Sequence, residues 1–251
     1  MKSFNPEYYR FQQDYAVINE DSLMKLKEEY QTWYGTLMSL NSFSEPLPIV
    51  DVSHYGTSPD ADLLGQILRY CGSDKSTKHN FHLIYAHLLK GRRNEPLKIL
   101  EIGLGTNNLS FKSNMGVDGT PCASVRAFRD WAPNAQVYGA DVDPGILVQE
   151  ERIKTYFVDQ TDRASLQNLA HIVGGDFDLI IDDGLHNPIA NFNTVKELLP
   201  LLKDDGHLVV EDIYEEYLSA WNIFAAFQKG TLVKCKCESI YAYILKKETK
   251  L

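Results

Sequence analysis

With 251 residues, 44% of them hydrophobic and 11% aromatic, the chain is long and apolar enough for one α/β domain with a sizeable core, which excludes a disordered or disulfide-stapled protein. A formal charge of −9 disfavours general nucleic-acid binding, which needs clustered Lys and Arg. No stretch reaches 18 apolar residues and "MKSFNPEYYRFQQDY" lacks a secretory apolar region, so the expectation is a cytoplasmic protein without a membrane partner.

Residues 1 to about 45 read as helical, with Leu23, Leu26, Tyr30, Trp33 and Leu37 forming one apolar face. Pro46, Pro48, Gly56 and Pro59 then mark a connector. The chain is accordingly divided into an N-terminal helical segment, 1–69, serving as lid or homo-oligomer contact, and a main domain, 70–251. "GSDKSTKHNFHLIYAHLLKGRR" reads as a turn and a helix with Phe81, Ile84, Tyr85, Leu88 and Leu89 on its apolar stripe and Gly91 as C-cap, His82 and His87 lying on its flank. Cys71, Cys122, Cys235 and Cys237 are too scattered for a disulfide framework and read as buried thiols.

From Leu97 the pattern alternates. Strands are expected at 97–102, 136–140, 154–158, 178–182, 207–211, 231–237 and 240–246, and helices at 121–132, 144–151, 163–173, 189–202 and 215–228. That order predicts a mostly parallel seven-stranded sheet with helices on both faces, the last two strands forming an antiparallel pair. Ligands of such sheets gather beyond the carboxyl ends of the strands, and there the unusual polar clusters fall.

The first strand ends in "LEIGLGTNN", bringing Glu101, Gly103 and Gly105, whose missing side chains let backbone approach a ligand closely. A dinucleotide fingerprint would want a third glycine where Asn108 stands, which opposes a nicotinamide dehydrogenase. The second strand ends in "GADVDP", where Asp141, favoured over Asp143, would accept the hydroxyls of a ribose. Asp159 and Gln160 end the third and suit an adenine edge. Together they describe an adenosine carrying an amino-acid tail, and S-adenosylmethionine fits.

The fourth and fifth strands end in adjacent acid pairs, Asp182–Asp183 and Glu211–Asp212. Acids converging on one spot raise one another's pKa unless a cation sits among them, and oxygen donors without cysteine suit magnesium, with manganese or calcium as substitutes.

"LEIGLGTNN", "GADVDP" and the αβ order resemble the class I S-adenosylmethionine-dependent methyltransferases across about residues 70 to 250. More narrowly, "GSDKSTKHNFHLIY", "IIDDGLH" and "VVEDI" resemble the metal-dependent O-methyltransferase group that includes the macrocin and mycinamicin sugar methyltransferases and the protein called cephalosporin hydroxylase. The resemblance implies a Rossmann-like fold, Asp183, Glu211 and Asp212 as metal ligands, Asp182 facing the cofactor or the sheet interior, and His186 as general base toward a small-molecule hydroxyl. It further implies that Lys75 and His79 belong to a segment closing over cofactor or substrate, Lys75 meeting an anionic group. The group's serine before the loop histidine, and its later histidine and glutamine, are here Leu185, Ala190 and Asn191, which points to a smaller acceptor pocket. The expected activity is magnesium-assisted O-methylation of a sugar, surface-polysaccharide or natural-product intermediate. The rivals are a non-catalytic cofactor-binding scaffold and a metal-dependent hydroxylase, the latter opposed by three carboxylates and one histidine where iron oxygenases want two histidines and one carboxylate. The 106–120 loop is either a lid or an ordered loop.

Overall fold

The computed structural model describes residues 24–33, 35–36, 47–111, 113–237 and 239–247. After helix α1 (24–33) the elements run β1 (Ile49–Asp51), α2 (Pro59–Cys71), α3 (Phe81–Leu88), β2 (Lys98–Ile102), α4 (Ala123–Trp131), β3 (Gln136–Asp141), β4 (Gln149–Glu150), β5 (Ile153–Phe157), α5 (Arg163–Val173), β6 (Phe177–Asp182), α6 (Pro188–Leu198), β7 (Leu202–Tyr214), α7 (Leu218–Ala225), β8 (Thr231–Lys234) and β9 (Ile240–Lys246).

The strands form one sheet in the order β1-β8-β9-β7-β6-β2-β3-β5-β4. Its centre, from β7 to β5, is parallel, and β9 lies antiparallel between β7 and β8. Side chains alternate across the sheet. On one face Ile99, Val137, Leu179 and Val209 pack beneath α2, α3 and α4 through Leu64, Leu68, Ile84 and Phe128. On the other, Leu100, Ile180, Leu208 and Tyr243 meet Leu166, Leu198 and Trp221 of α5, α6 and α7. The chain runs outward from β2 in one direction through β3 and β5, then returns to place β6 on the other side of β2. That reversal makes the β2/β6 crevice the switch point of the sheet.

Among the described residues nine strands stand where seven are expected. The additions are β1, parallel to β8 at one edge, and the two-residue β4, antiparallel to β5 at the other. β4 also replaces much of the helix expected at 144–151, where only a 3-10 turn, Pro144–Ile146, forms after the Asp143 side chain caps it. Helix α2 begins at Pro59, where the sequence pattern marks only the end of a connector. Proline in fact occupies its first turn behind the Ser58 cap, and Gly72, at φ +89°, closes its end. The division expected at 69/70 therefore falls within the last turn of α2, a helix packed against α3 and α4.

Part of the apolar face of α1 packs against the chain itself, while Trp33 stays exposed. Leu26 and Tyr30 are buried, Tyr30 meets the Tyr217 ring edge-on at 5.1 Å, and Trp33 meets Phe192 at 5.7 Å. Leu23 and Leu37, and the helical expectation over 1–23 and 37–45, lie outside the described residues. Among the described residues no helix is long and apolar enough to cross a membrane.

Candidate active site

The carboxyl ends of the parallel strands open into a cavity of about 450 Å³, within the range of small-molecule sites. Its lining includes Lys75, Gly103, Asp141, Gln160, Asp183 and His186.

Gly103 and Gly105 hold φ of +87° and +72°. At Gly103 a close approach explains the residue, but the approaching group is protein: a Cβ there would stand 2.1 Å from the Asp183 carbonyl oxygen. Asp141 is buried and also works for the loop, its carboxylate accepting hydrogen bonds from the Leu104 amide at 2.7 Å and the Asp143 amide at 2.8 Å. Burial nevertheless raises its pKa to about 6, and the three backbone donors only partly offset that. Asp143 is occupied by Thr106 at 2.5 Å and the Gly145 amide at 2.8 Å. The 106–120 loop is pinned at both ends, Met115 N–H donating to Thr106 and Cys122 N–H to Leu104, each at 2.8 Å.

A folded-state pKa above the unfolded value means that the native state holds the Asp141 proton more tightly. Its contribution is unpenalised below pH 4 and turns unfavourable as pH climbs through 4 to 6. Asp141→Asn cannot titrate, so between pH 4 and pH 7 its unfolding free energy should rise relative to wild type by up to about 3 kcal/mol. Urea denaturation at the two pH values checks this, and a constant gap would refute it.

Of the residues expected near the cofactor, Asp182 takes the second of its two expected places, the sheet interior, and Gln160 lines the cavity but is engaged by the scaffold. Asp182 is fully buried and does not line the cavity; it accepts hydrogen bonds from Gln160 at 2.7 Å and Asn191 at 3.0 Å. The Gln160 amide nitrogen also donates to Thr194, while its oxygen accepts from the Leu185 amide at 2.9 Å. Gln160 thus braces the loop after β6, and its donors are not aimed at an adenine edge. Asp159 lines the cavity, with one carboxylate oxygen accepting from Thr161.

Ligand atoms of Asp183, His186 and Asp212 lie within 4.8 Å of one another, a group that could hold a metal ion. A bulge creates this convergence. β7 does not end at Glu211 but shifts register between Val210 and Ile213, with Asp212 at φ +51°. The bulge turns two successive acids to different tasks. Asp212 enters the cluster, its Oδ2 4.0 Å from His186 Nε2.

Glu211, expected as a metal ligand, is not brought into the cluster: its carboxylate is 1% exposed and held by the Lys75 ammonium and the Tyr85 hydroxyl. Burial lifts its pKa to about 7 against the pull of Lys75. The contact of Tyr85 with Glu211 is not legible in the sequence, because a ring on the apolar stripe of α3 says nothing of where its hydroxyl lands.

Lys75, expected to await an anionic ligand, is itself buried among acids. Its Nζ stands 2.6 Å from Asp183 and 3.2 Å from Glu101, besides its contact with Glu211. Glu101 is fully buried and accepts a 2.5 Å hydrogen bond from Ser124. His79 stacks on Phe81 and points Nδ1 at Asp212 Oδ1 across 3.7 Å. Four buried polar atoms here have no hydrogen-bond partner among the described residues: Asp212 Oδ1, Glu101 Oε1 and the Nδ1 atoms of His79 and His186. Such groups are costly to bury unsatisfied, so their concentration around one cavity fits a site that receives a cation and a polar ligand.

No protein-family model matches the chain. It is 32% identical over 161 residues to the 8-demethyl-8-alpha-L-rhamnosyl tetracenomycin-C 2'-O-methyltransferase of Streptomyces olivaceus, covering 63% of this chain and 39% of that protein. It is 32% identical over 139 residues to the mycinamicin VI 2''-O-methyltransferase of Micromonospora griseorubida, covering 55% and 33%. The MycE methyltransferase of the mycinamycin biosynthetic pathway, solved with Mg and SAH, superposes at a TM-score of 0.54 and 29% identity, covering 64% of this chain and 39% of that one. The chain thus spans well under half the length of these relatives. Over that span, sequence and Rossmann-like architecture make it a homologue of the O-methyltransferases of the macrocin, mycinamicin and tetracenomycin type.

Proposed function

We propose that the chain is an S-adenosylmethionine-dependent, magnesium-assisted O-methyltransferase acting in the cytoplasm on a hydroxyl of a small molecule, a sugar or natural-product intermediate. The observation that carries the reading is the convergence of Asp183, Asp212 and His186 beside a cavity at the sheet's switch point. Relatives named as O-methyltransferases of a rhamnosyl tetracenomycin and of mycinamicin VI support the acceptor class, and a net charge of −9 opposes a polyanionic one.

In this reading Asp183 and Asp212 hold the magnesium ion, manganese or calcium being substitutes, and Glu211 balances charge behind them. The Gly103–Gly105 turn, Asp141 and Asp159 form the cofactor's side of the cavity, with Glu101 buried behind it, while Gln160 and Asp182 fix the loop that carries Asp183. When bound, the cofactor supplies a methyl group on a sulfonium and the metal supplies Lewis acidity toward the acceptor hydroxyl. His186, on the same loop as Asp183, would take the proton of the acceptor hydroxyl at its imidazole. Asp212, 4.0 Å from Nε2, stabilises the imidazolium so formed. Holding the reactants in line and neutralising charge supply most of the acceleration.

The test is calorimetric titration of chelator-stripped protein with SAH and, separately, with magnesium. Wild type should bind both, and Asp183→Ala should lose at least about tenfold in magnesium affinity, a change of about 1.4 kcal/mol, while keeping SAH. Methyl transfer from labelled cofactor to a panel of glycosides completes it. A wild type that binds neither ligand replaces this reading with that of a non-catalytic scaffold.

A further inference from the structure

Two of the unsatisfied polar atoms at the site face one another. His79 Nδ1 and Asp212 Oδ1 are both buried without a hydrogen-bond partner among the described residues, and they stand 3.7 Å apart. That is roughly half an ångström beyond hydrogen-bond range. A small turn of either side chain would close the gap, and one N–H···O bond would satisfy both atoms.

The imidazole is the better anchored of the two. His79 lies in the turn before α3, 9% exposed at the cavity wall. Its ring stacks on Phe81, with centroids 5.0 Å and planes 13° apart, and its carbonyl accepts from the Lys236 amide between β8 and β9 at 3.2 Å. Asp212 sits instead in the bulge of β7, where the register breaks and φ is +51°. Its carboxylate has a histidine at each oxygen, His79 at Oδ1 and His186 at Oδ2 across 4.0 Å. Only His186 belongs with Asp183 and Asp212 to the group that could hold a metal ion, so His79 stands beside the cluster and not in it.

That is the place of an orienting partner. A carboxylate that binds metal is itself held by a hydrogen bond from outside, which fixes the plane of its two oxygens. Asp183 has such a partner in Lys75, whose Nζ lies 2.6 Å from Oδ2. We propose that His79 is the positioning residue of Asp212: its Nδ1–H donates to Oδ1, fixes the carboxylate plane and leaves Oδ2 to the cation that Asp183 and Asp212 share. This deepens the metal-assisted reading and rests on it. The bond also sets the tautomer of His79, with the proton on Nδ1.

The experiment titrates the full chain with magnesium by calorimetry, comparing wild type with His79→Leu, His79→Asn and His79→Gln, and titrates each with SAH as a control. Leucine should weaken magnesium about 10 to 100-fold, the usual cost of losing a partner behind a metal ligand. SAH affinity should hold within about threefold in every variant, because His79 faces the metal side of the cavity. Asparagine carries a side-chain N–H where Nδ1 stands and should bring magnesium affinity back to within about threefold of wild type. Glutamine carries its N–H where Nε2 stands and should not. A merely structural role would give no such rescue, since asparagine fills the space against Phe81 no better than leucine does. Should the leucine variant fail to fold, the comparison of asparagine with glutamine decides alone. Asparagine and glutamine behaving alike, or leucine binding magnesium as wild type does, would overturn the positioning role and leave the methyltransferase reading intact. A loss of nickel affinity in the leucine variant about tenfold greater than its loss of magnesium would also overturn it, because imidazole favours nickel and His79 would then be a ligand. A wild type that binds no magnesium would sink both the positioning role and the metal-assisted reading.

Discussion

Replacing His186 with asparagine is expected to slow methyl transfer by roughly 10² to 10⁴-fold, the usual contribution of a positioned general base. Asparagine is the informative substitution because His186 sits at φ +52°, a left-handed conformation that asparagine tolerates and alanine does not. The loop should keep its path, since Gln160 and the Leu185 amide brace it from the other side. SAH affinity should therefore hold within about threefold, less than 1 kcal/mol. Magnesium affinity separates two roles the geometry allows, for His186 also lies within reach of Asp183 and Asp212 as a nitrogen ligand. A hard cation prefers oxygen donors, so the expected result is a large loss of rate with little loss of metal. A parallel collapse of magnesium binding would make His186 a ligand, and a rate within threefold of wild type would remove it from the chemistry.

The location of the site was legible because it depends on strand order alone. Acids at the ends of successive apolar strands must gather at one edge of a parallel sheet, whatever their side chains then do. What each acid does was not legible, because that depends on turns of a residue or two. The Glu211–Asp212 pair illustrates this: strand alternation says the two face apart, and only the bulge between Val210 and Ile213 decides which enters the cluster. Position puts Gln160 beside a ligand and leaves Asp182 either there or in the sheet interior, and only Thr194 and Asn191 on α6 decide where the two side chains are spent. Lys75 shows the same limit from the other side. Its charge was evident, but nothing local places it among Glu101, Asp183 and Glu211, which lie 26 to 136 residues further along the chain. In the fold, helix α2 was missed because proline and glycine read alike as breakers and as caps, a distinction set by whether they bracket an apolar stripe such as Ala61, Leu64 and Leu68.

Gly103→Ala should cost about 3 kcal/mol or more, combining a left-handed penalty of about 1 to 2 kcal/mol with overpacking of about 1 to 3. The overlap is with backbone: the new Cβ would lie 2.1 Å from the Asp183 oxygen, 2.5 Å from its carbonyl carbon and 2.8 Å from the Gly184 Cα. None of these can swing aside as a side chain would. The two loops are also stitched to the sheet on either side of the contact, Asp183 N–H donating to Ile102 at 2.8 Å and Gly103 N–H to Ala140 at 2.9 Å. Relief must therefore displace Asp183 itself, so magnesium affinity should fall together with stability. Gly116→Ala is the control, since Gly116 has φ +80° but nothing within 4 Å of the added atom. It should show only the conformational penalty of about 1 to 2 kcal/mol and unaltered magnesium binding. Urea denaturation and metal titration of both variants measure the difference. If Gly103→Ala proves no worse than Gly116→Ala, the glycine is there for its φ alone and the backbone contact is not what requires it. If it is worse and loses magnesium, the glycine that marks the cofactor turn also sets the position of a metal-cluster acid, joining the two halves of the site through backbone.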